Sequence, residues 1–285
     1  MPEFIDLHTH TTASDGSYTP AELVRHAEEC GLSAIAITDH DSADGLEEAH
    51  SACEALGVEV IDGIEIGADY AGEMHILGLF TDPYAAVLQG AMQELKVWRA
   101  QRNEDMIQKL CSIGVSIGRG EVLELSGGDM SSAGRVHMAH VIVQKGYTET
   151  LKEAFERYLG VGRAGYVPRR KFSPQKCIEI IKSSGGYAFL AHPILLGCGY
   201  DVLCEIIEEL KGYGLDGIEC YHSANTYEFS EMSAELCRAN DLMICGGSDF
   251  HGANKPDVQL GRVGEGQYIE YDILSEIKRK IGRIE

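Results

Sequence analysis

Residues 4–10 read Phe4-Ile5-Asp6-Leu7-His8-Thr9-His10, a short apolar run that ends in a His-x-His pair. The same pattern returns along the chain. Apolar runs lie at 4–7, 34–38, 58–66, 74–80, 187–191, 217–221 and 242–245, and short continuous runs of this kind are buried strands. Between most of them lie helical patterns with start and stop signals. Thr19-Pro20-Ala21-Glu22 is a capping box with proline at the first helical position, and Cys30-Gly31 stops that helix. Ser173-Pro174 opens another that ends at Gly185-Gly186, Asp201 opens one that ends near Gly212, and 225–240 is a further helical stretch. Strand alternating with helix predicts parallel strands joined by crossovers, hence an α/β sheet or barrel.

The alternation fails between about 90 and 165. Residues 89–110 form a long amphipathic helical pattern, 134–145 and 148–159 are also helical, and Gly-rich breaks fall at 114–120 and 126–128. A helical insertion after the fourth strand is expected, dividing the chain into a barrel of 1–90 and 166–285 and an insertion of 91–165. From Arg157 to Ile178 there is no acidic residue, while Arg157, Arg163, Arg169, Arg170, Lys171 and Lys176 are basic. That stretch is either an anion-facing segment or a solvated loop.

The chain has 285 residues, 31.1 kDa, with 44% hydrophobic and 24% charged residues, which excludes disordered, collagen-like and disulfide-scaffold chains. No apolar run is long enough to span a bilayer. The start, MPEFIDLHTH, lacks the basic and apolar stretches of a signal peptide, so a cytoplasmic location is expected. With 24 basic and 45 acidic residues the net charge is -21, which repels duplex nucleic acid and anionic membrane. An anionic ligand would then need a metal or a local positive site. Nine cysteines without a Cys-x-x-Cys pair read as buried free thiols in a reducing compartment; a catalytic cysteine is the sharper alternative.

Most of the ligand-capable histidines follow an apolar run: His8 and His10 the first, Thr38-Asp39-His40 the second, Ala191-His192-Pro193 the fifth, Glu219-Cys220-Tyr221-His222 the sixth and Gly247-Ser248-Asp249-Phe250-His251 the seventh. Glu65 lies near the end of the third. Strand C-termini in α/β barrels converge on one face, so these scattered residues are expected to meet there. His75 departs from the pattern because it starts its run. His-x-His on an extended segment puts both imidazoles on one side, and mixed histidine and carboxylate ligands suit zinc, manganese or iron rather than calcium. A lone strand-end histidine is more often packed or capping, but five strands ending this way are hard to reach by chance. His26, His50 and His140 lie in helical patterns and read as surface or structural residues.

Taken together, these segments and His75-Ile76-Leu77-Gly78 resemble the PHP (polymerase and histidinol phosphatase) family, above all its stand-alone phosphoesterases with a helical insertion. The resemblance implies a distorted (β/α)7 barrel with an inserted helical subdomain acting as a substrate-binding cap. It implies two or three divalent transition metals, manganese ahead of iron or zinc. His8, His10, Glu65 and Asp249 would hold the first ion; Glu65, His75 and His192 the second; Asp15, His40 and His251 the third. Asp39 would orient a ligand or cap the following helix. Ala133-Gly134-Arg135-Val136-His137-Met138-Ala139 resembles the family's phosphate-binding Arg-x-His-x-Ala segment, unless Arg135 and His137 are only a helix-surface pair. Arg163 and Lys255 are further substrate-binding candidates. Glu65, Asp249 and His222 are the expected catalytic residues, His222 as proton donor to the leaving oxygen or as a substrate contact; Tyr221 either meets substrate or packs.

The implied function is hydrolysis of a small phosphorylated nucleotide or ribose metabolite by metal-activated water. A nucleoside 3',5'-bisphosphate or the 5'-phosphorylated end of a short oligonucleotide is the first expectation. A cyclic ribose phosphate comes next, then a histidinol-phosphate-type monoester. A non-catalytic module would show lost ligands, and amide hydrolysis would favour a lysine at a strand end; neither feature is present. No duplex nucleic acid or membrane partner is expected.

Overall fold

The computed structural model describes residues 3–54, 56–130 and 133–284. Among them the chain forms two compact units: residues up to Gln89 together with those from Phe172 onward, and Gly90–Lys171.

The first unit carries all the strands: β1 (Phe4–Thr9), β2 (Leu32–Ile37), β3 (Glu59–Gly67), β4 (His75–Leu79), β5 (Tyr187–Leu190), β6 (Gly217–His222), β7 (Met243–Gly247) and β8 (Ile269–Glu270). They form one sheet in the order β7-β6-β5-β4-β3-β2-β1-β8. The seven apolar runs are β1 to β7; β8 is a two-residue strand pairing antiparallel with Phe4 and Ile5, too short to carry a sequence signal. Helices α1 (Pro20–Glu29) and α2 (Leu46–Cys53) cover β1 to β3, and α7 (Pro174–Ser183), α8 (Tyr200–Gly212), α9 (Tyr227–Ala239) and α10 (Tyr271–Lys280) belong to the later strands. The expected capping box is present: Thr19 Oγ1 accepts the Glu22 N–H at 3.2 Å and Glu22 Oε2 accepts the Thr19 N–H at 2.9 Å, worth about 1 kcal/mol.

The expectation of parallel strands throughout needs one correction. β4 runs antiparallel to both β3 and β5. The loop between β3 and β4 is too short for a crossover, which takes a dozen residues or more, so the chain turns back as a hairpin. Gly67 therefore pairs with His75, and the start of β4 lies beside the end of β3. This accounts for His75: its strand is reversed, so a residue at its start reaches the face where the others end.

The sheet curls until β7 meets β1. The Asp249 N–H donates to the His8 carbonyl and the His10 N–H to the Phe250 carbonyl, each at 2.9 Å. Gly247 permits this approach. A Cβ there would overlap His8 Cβ and N and come 2.8 Å from His8 Cα. Buried Asp6 fastens the seam, accepting the Ser248 N–H at 2.8 Å, the Ser248 hydroxyl at 2.5 Å and the Gly261 N–H at 2.8 Å. Inside lie Leu7, Ala36, Leu77, Phe189 and Cys245.

The second unit is helical, with α3 (Ala86–Ser112) running into it, then α4 (Arg119–Leu125), α5 (Arg135–Gln144) and α6 (Leu151–Ala154). It has its own core, including Met106, Leu110, Val122, Met138, Ile142 and Leu159. The single helix expected over 148–159 is α6 followed by a wider turn, Phe155–Leu159, closed by the Gly160 N–H on the Phe155 carbonyl at 2.8 Å. No helix among the described residues is long and apolar enough to cross a membrane. None of the nine cysteines forms a disulfide, but only Cys177, Cys220, Cys237 and Cys245 are buried, whereas Cys30 and Cys111 are exposed. Both exposed thiols lie near helix ends, where an apolar pattern does not guarantee cover.

Candidate metal centre

Glu65, near the end of β3 and fully buried, is the hub. Its Oε1 lies 2.8 Å from both His75 Nδ1 and His192 Nε2. Its Oε2 lies 2.8 Å from His40 Nδ1 and 3.3 Å from Nε2 of both His8 and His10. Asp249 Oδ1 is 3.2 Å from His10 Nε2 and 3.7 Å from His8 Nε2. His251 Nδ1 donates to the Asp249 carbonyl at 2.8 Å, which leaves Nε2 facing Asp15 Oδ1 at 3.3 Å.

All nine sequence-predicted ligands therefore converge; eight of them form three overlapping groups with ligand atoms within 4.8 Å of one another, namely His8, His10, Glu65 and Asp249; His10, Asp15, His40 and His251; and His40, Glu65 and His75, while His192 meets the cluster through Glu65 Oε1. The sharing is wider than expected. His10 joins the Asp15 group, and His40 joins the group of Glu65 and His75. Buried His8 Nε2, both nitrogens of His10, His192 Nδ1 and Glu65 Oε2 have no hydrogen-bond partner. Burying so many polar atoms unpaired is costly unless another group takes their lone pairs. The donors are imidazoles and carboxylates, the set that suits divalent transition metals.

Charge follows from this crowding. Burial pushes Glu65 up, but His40, His8 and His75 outweigh it and hold the carboxyl well below its usual range. Asp249 is likewise depressed against burial, by His10, His222 and His8. Burial opposes protonation of His40, yet the Glu65 carboxylate raises it to about 9. Three of the non-glycine residues with left-handed backbone belong to or adjoin candidate ligands: Asp41 (φ 51°), His192 (φ 28°) and Asp249 (φ 59°). Such strain costs about 1–3 kcal/mol each and collects where a site needs it.

The PHP domain family matches residues 6–167. This chain belongs to the PHP family. Among its PHP relatives, a 5'-3' exoribonuclease of Haemophilus influenzae is 33% identical over 88% of this chain and 91% of its own length. A 3',5'-nucleoside bisphosphate phosphatase of Chromobacterium violaceum is 28% identical over 98% of both chains. A solved Bifidobacterium adolescentis structure, described as a metal-dependent phosphoesterase, is 31% identical over 98% of both chains with a TM-score of 0.78.

Further side chains of this PHP site surround the ligands. Asp39 accepts from the Thr11 N–H and hydroxyl, both at 2.7 Å, and from the Ser14 hydroxyl at 2.5 Å. It thus holds the turn that carries Asp15. His222 Nδ1 accepts the Ala224 N–H at 3.1 Å, so in the neutral ring the proton sits on Nε2, 3.5 Å from Asp249 Oδ2. Lys255 Nζ pairs with Asp249 Oδ2 at 2.6 Å. Tyr221 packs half-buried against the barrel core. Glu219 is fully buried and touches both His8 and His192.

In the helical unit, Arg135 and His137 start α5. Residues two apart on a helix diverge by about 200°, so they do not share a face. Arg135 lies over the Phe155 and Tyr166 rings at 5.6 and 5.8 Å, while His137 Nδ1 turns back to accept the Gly134 N–H at 3.0 Å. Arg163 is exposed on the turn after Leu159. Arg102, read only as part of a long helix, also approaches the Tyr166 ring at 5.8 Å. Burial, then the nearby Arg135, Arg169 and Arg99, push its pKa down.

Proposed function

We propose that this PHP chain is a metal-dependent hydrolase of phosphoric esters acting on nucleoside 3',5'-bisphosphates or on the 5'-phosphorylated end of a short oligonucleotide. The observation that carries the reading is the Glu65 hub, where three ligand groups overlap around unpaired buried donor atoms. A non-catalytic module would not need every ligand position filled.

His8, His10, Glu65 and Asp249 would hold one ion; Glu65, His75 and His192, joined by His40, a second; and Asp15, His40 and His251, joined by His10, a third. Manganese is the first candidate, with iron or zinc next. Bound ions of this kind activate water and draw charge from phosphoryl oxygens. The chain's own groups do the rest. His222 carries its Nε2 proton toward Asp249 and is placed to donate it to the leaving oxygen. Lys255 offers a cation beside the same carboxylate. The Asp15 side chain is 59% exposed and Lys255 42%, against 3% for His222, so substrate enters on the Asp15 and Lys255 side.

The two proposed substrates share a ribose bearing phosphoryl groups at O5' and O3'. That chemistry fits a centre that cleaves one phosphoester and a separate cationic group that grips the other. Arg135, with Arg102 close by and Arg163 on the turn after Leu159, is assigned the second task; His137 serves mainly as a cap. The free thiols fit a reducing cytoplasm.

The test is hydrolysis by the manganese-loaded protein of adenosine 3',5'-bisphosphate, 3'-AMP, histidinol phosphate and a 5'-phosphorylated oligoribonucleotide. A strong preference for the first or last is expected. Equal rates on 3'-AMP or histidinol phosphate would refute the second phosphate as a handle.

A further inference from the structure

Glu219, on β6, is fully buried and no step above uses it. Both of its oxygens are engaged, and by two different candidate ligands. Oε1 accepts from His8 Nδ1 at 2.9 Å. Oε2 accepts the backbone N–H of His192 at 2.6 Å. A carboxylate can only accept, so the first contact fixes a proton on His8 Nδ1 and, in the neutral ring, makes Nε2 the nitrogen that carries the lone pair. That nitrogen is buried without a hydrogen-bond partner and lies 3.3 Å from Glu65 Oε2. The second contact grips a residue whose φ is 28°, a conformation that needs support from its surroundings.

We propose that Glu219 is a positioning residue for metal binding: one carboxylate sets the tautomer of His8 and holds the backbone of His192, tying a ligand from β1 to a ligand after β5. This rests on the reading that His8 and His192 bind metal. Partners of this type orient a ligand and raise its basicity, and losing one typically weakens metal binding about 10–100-fold.

The geometry makes glutamine a sharp probe. An amide has one accepting atom and one donating group, whereas Glu219 meets two N–H donors. If the amide nitrogen of Glu219→Gln turns to His8, the ring must carry its proton on Nε2 and that lone pair is lost. If it turns to His192, two N–H groups face each other and the backbone loses its anchor. A residue that merely fills space would tolerate this near-isosteric change.

The experiment is calorimetric titration of manganese into metal-free wild type and Glu219→Gln, with the thermal midpoint of each metal-free form. Weakening of roughly 10–100-fold at a nearly unchanged midpoint is expected, with the KM of the fully loaded variant near wild type. Wild-type manganese affinity in the variant overturns the proposal. If the variant does not fold, the wild type decides: long-range 1H–15N spectra of its metal-free form should show a proton on His8 Nδ1, and a ring protonated on Nε2 alone overturns the proposal. Failure of the wild type to bind manganese at all overturns the metal reading and this inference with it, a result separate from the variant ratio.

Discussion

Replacing Gly247 by alanine should open the seam of the barrel. The added methyl would overlap His8 Cβ and N and sit 2.8 Å from His8 Cα, where carbon atoms rest at about 3.5–4.0 Å. The obstacle is the β1 backbone, so no side chain can swing aside. Overpacking of this kind costs about 1–3 kcal/mol. Parting the strands also weakens the two 2.9 Å hydrogen bonds between them, at about 0.5–1.5 kcal/mol each. A loss of roughly 2–6 kcal/mol follows, on the order of 10 °C in midpoint for a unit of this size. His8 and His10 stand on one side of the seam and Asp249 on the other, so manganese affinity should fall as well. Urea unfolding and manganese titration read the two effects. Gly120→Ala is the control: it lies in α4 with nothing within 4 Å of the new methyl and should be neutral or stabilising by up to about 1 kcal/mol. A Gly247→Ala protein with wild-type unfolding and wild-type manganese binding would refute the close approach of β1 and β7.

Chelation should abolish hydrolysis, and Asp249→Asn should lower the rate by orders of magnitude in manganese-loaded protein; activity that survives chelation with less than one metal per chain, by elemental analysis, would contradict the centre. Arg135→Ala should reduce kcat/KM on adenosine 3',5'-bisphosphate by roughly 10²-fold, because a charge-assisted contact contributes about 1.5–3 kcal/mol, with metal content unchanged; unaltered kinetics would return Arg135 to a packing role. In metal-free protein His40 is raised from 6.5 to about 9 by Glu65 against the effect of burial, so its contribution to stability is complete below about pH 6.5 and disappears as pH rises through 9. Thermal midpoints should therefore fall across that window without metal and fall less with manganese, which replaces the proton; identical curves would argue against His40 as a shared ligand.

Much of the centre was legible because ligands at strand ends need no knowledge of tertiary structure: a parallel barrel gathers them wherever they fall in the chain. The place of His75 at the start of its run makes sense only with β4 reversed. The gap between the runs at 58–66 and 74–80 is too short for a crossover, and that alone foretells the hairpin. Glu219 was harder to see. It sits in an apolar run beside Cys220 and Tyr221, and only its depth and two partners set it apart from a surface carboxylate. Arg135 and His137 open the helix expected over 134–145, but no sequence pattern tells that the His137 ring turns back to the Gly134 N–H while Arg135 lies over two aromatic rings. Arg102 had no signal, because one cation on an amphipathic helix looks like any other solvated charge.

The reversed β4 also bears on how the centre can assemble as the chain folds. His75 and Glu65 are 10 residues apart and meet as soon as one hairpin forms. The Asp6–Ser248 contact that fastens β1 to β7 spans 242 residues. Closing a long loop costs more chain entropy than closing a short one, and distant pairings slow folding. One side of the centre is thus a local product of nascent chain, while the other waits for nearly the last strand to arrive. A ribosome-bound fragment ending before β7 already contains Glu65, His40, His75 and His192 but lacks Asp249 and His251, so metal can be captured in full only after synthesis of the barrel is almost complete.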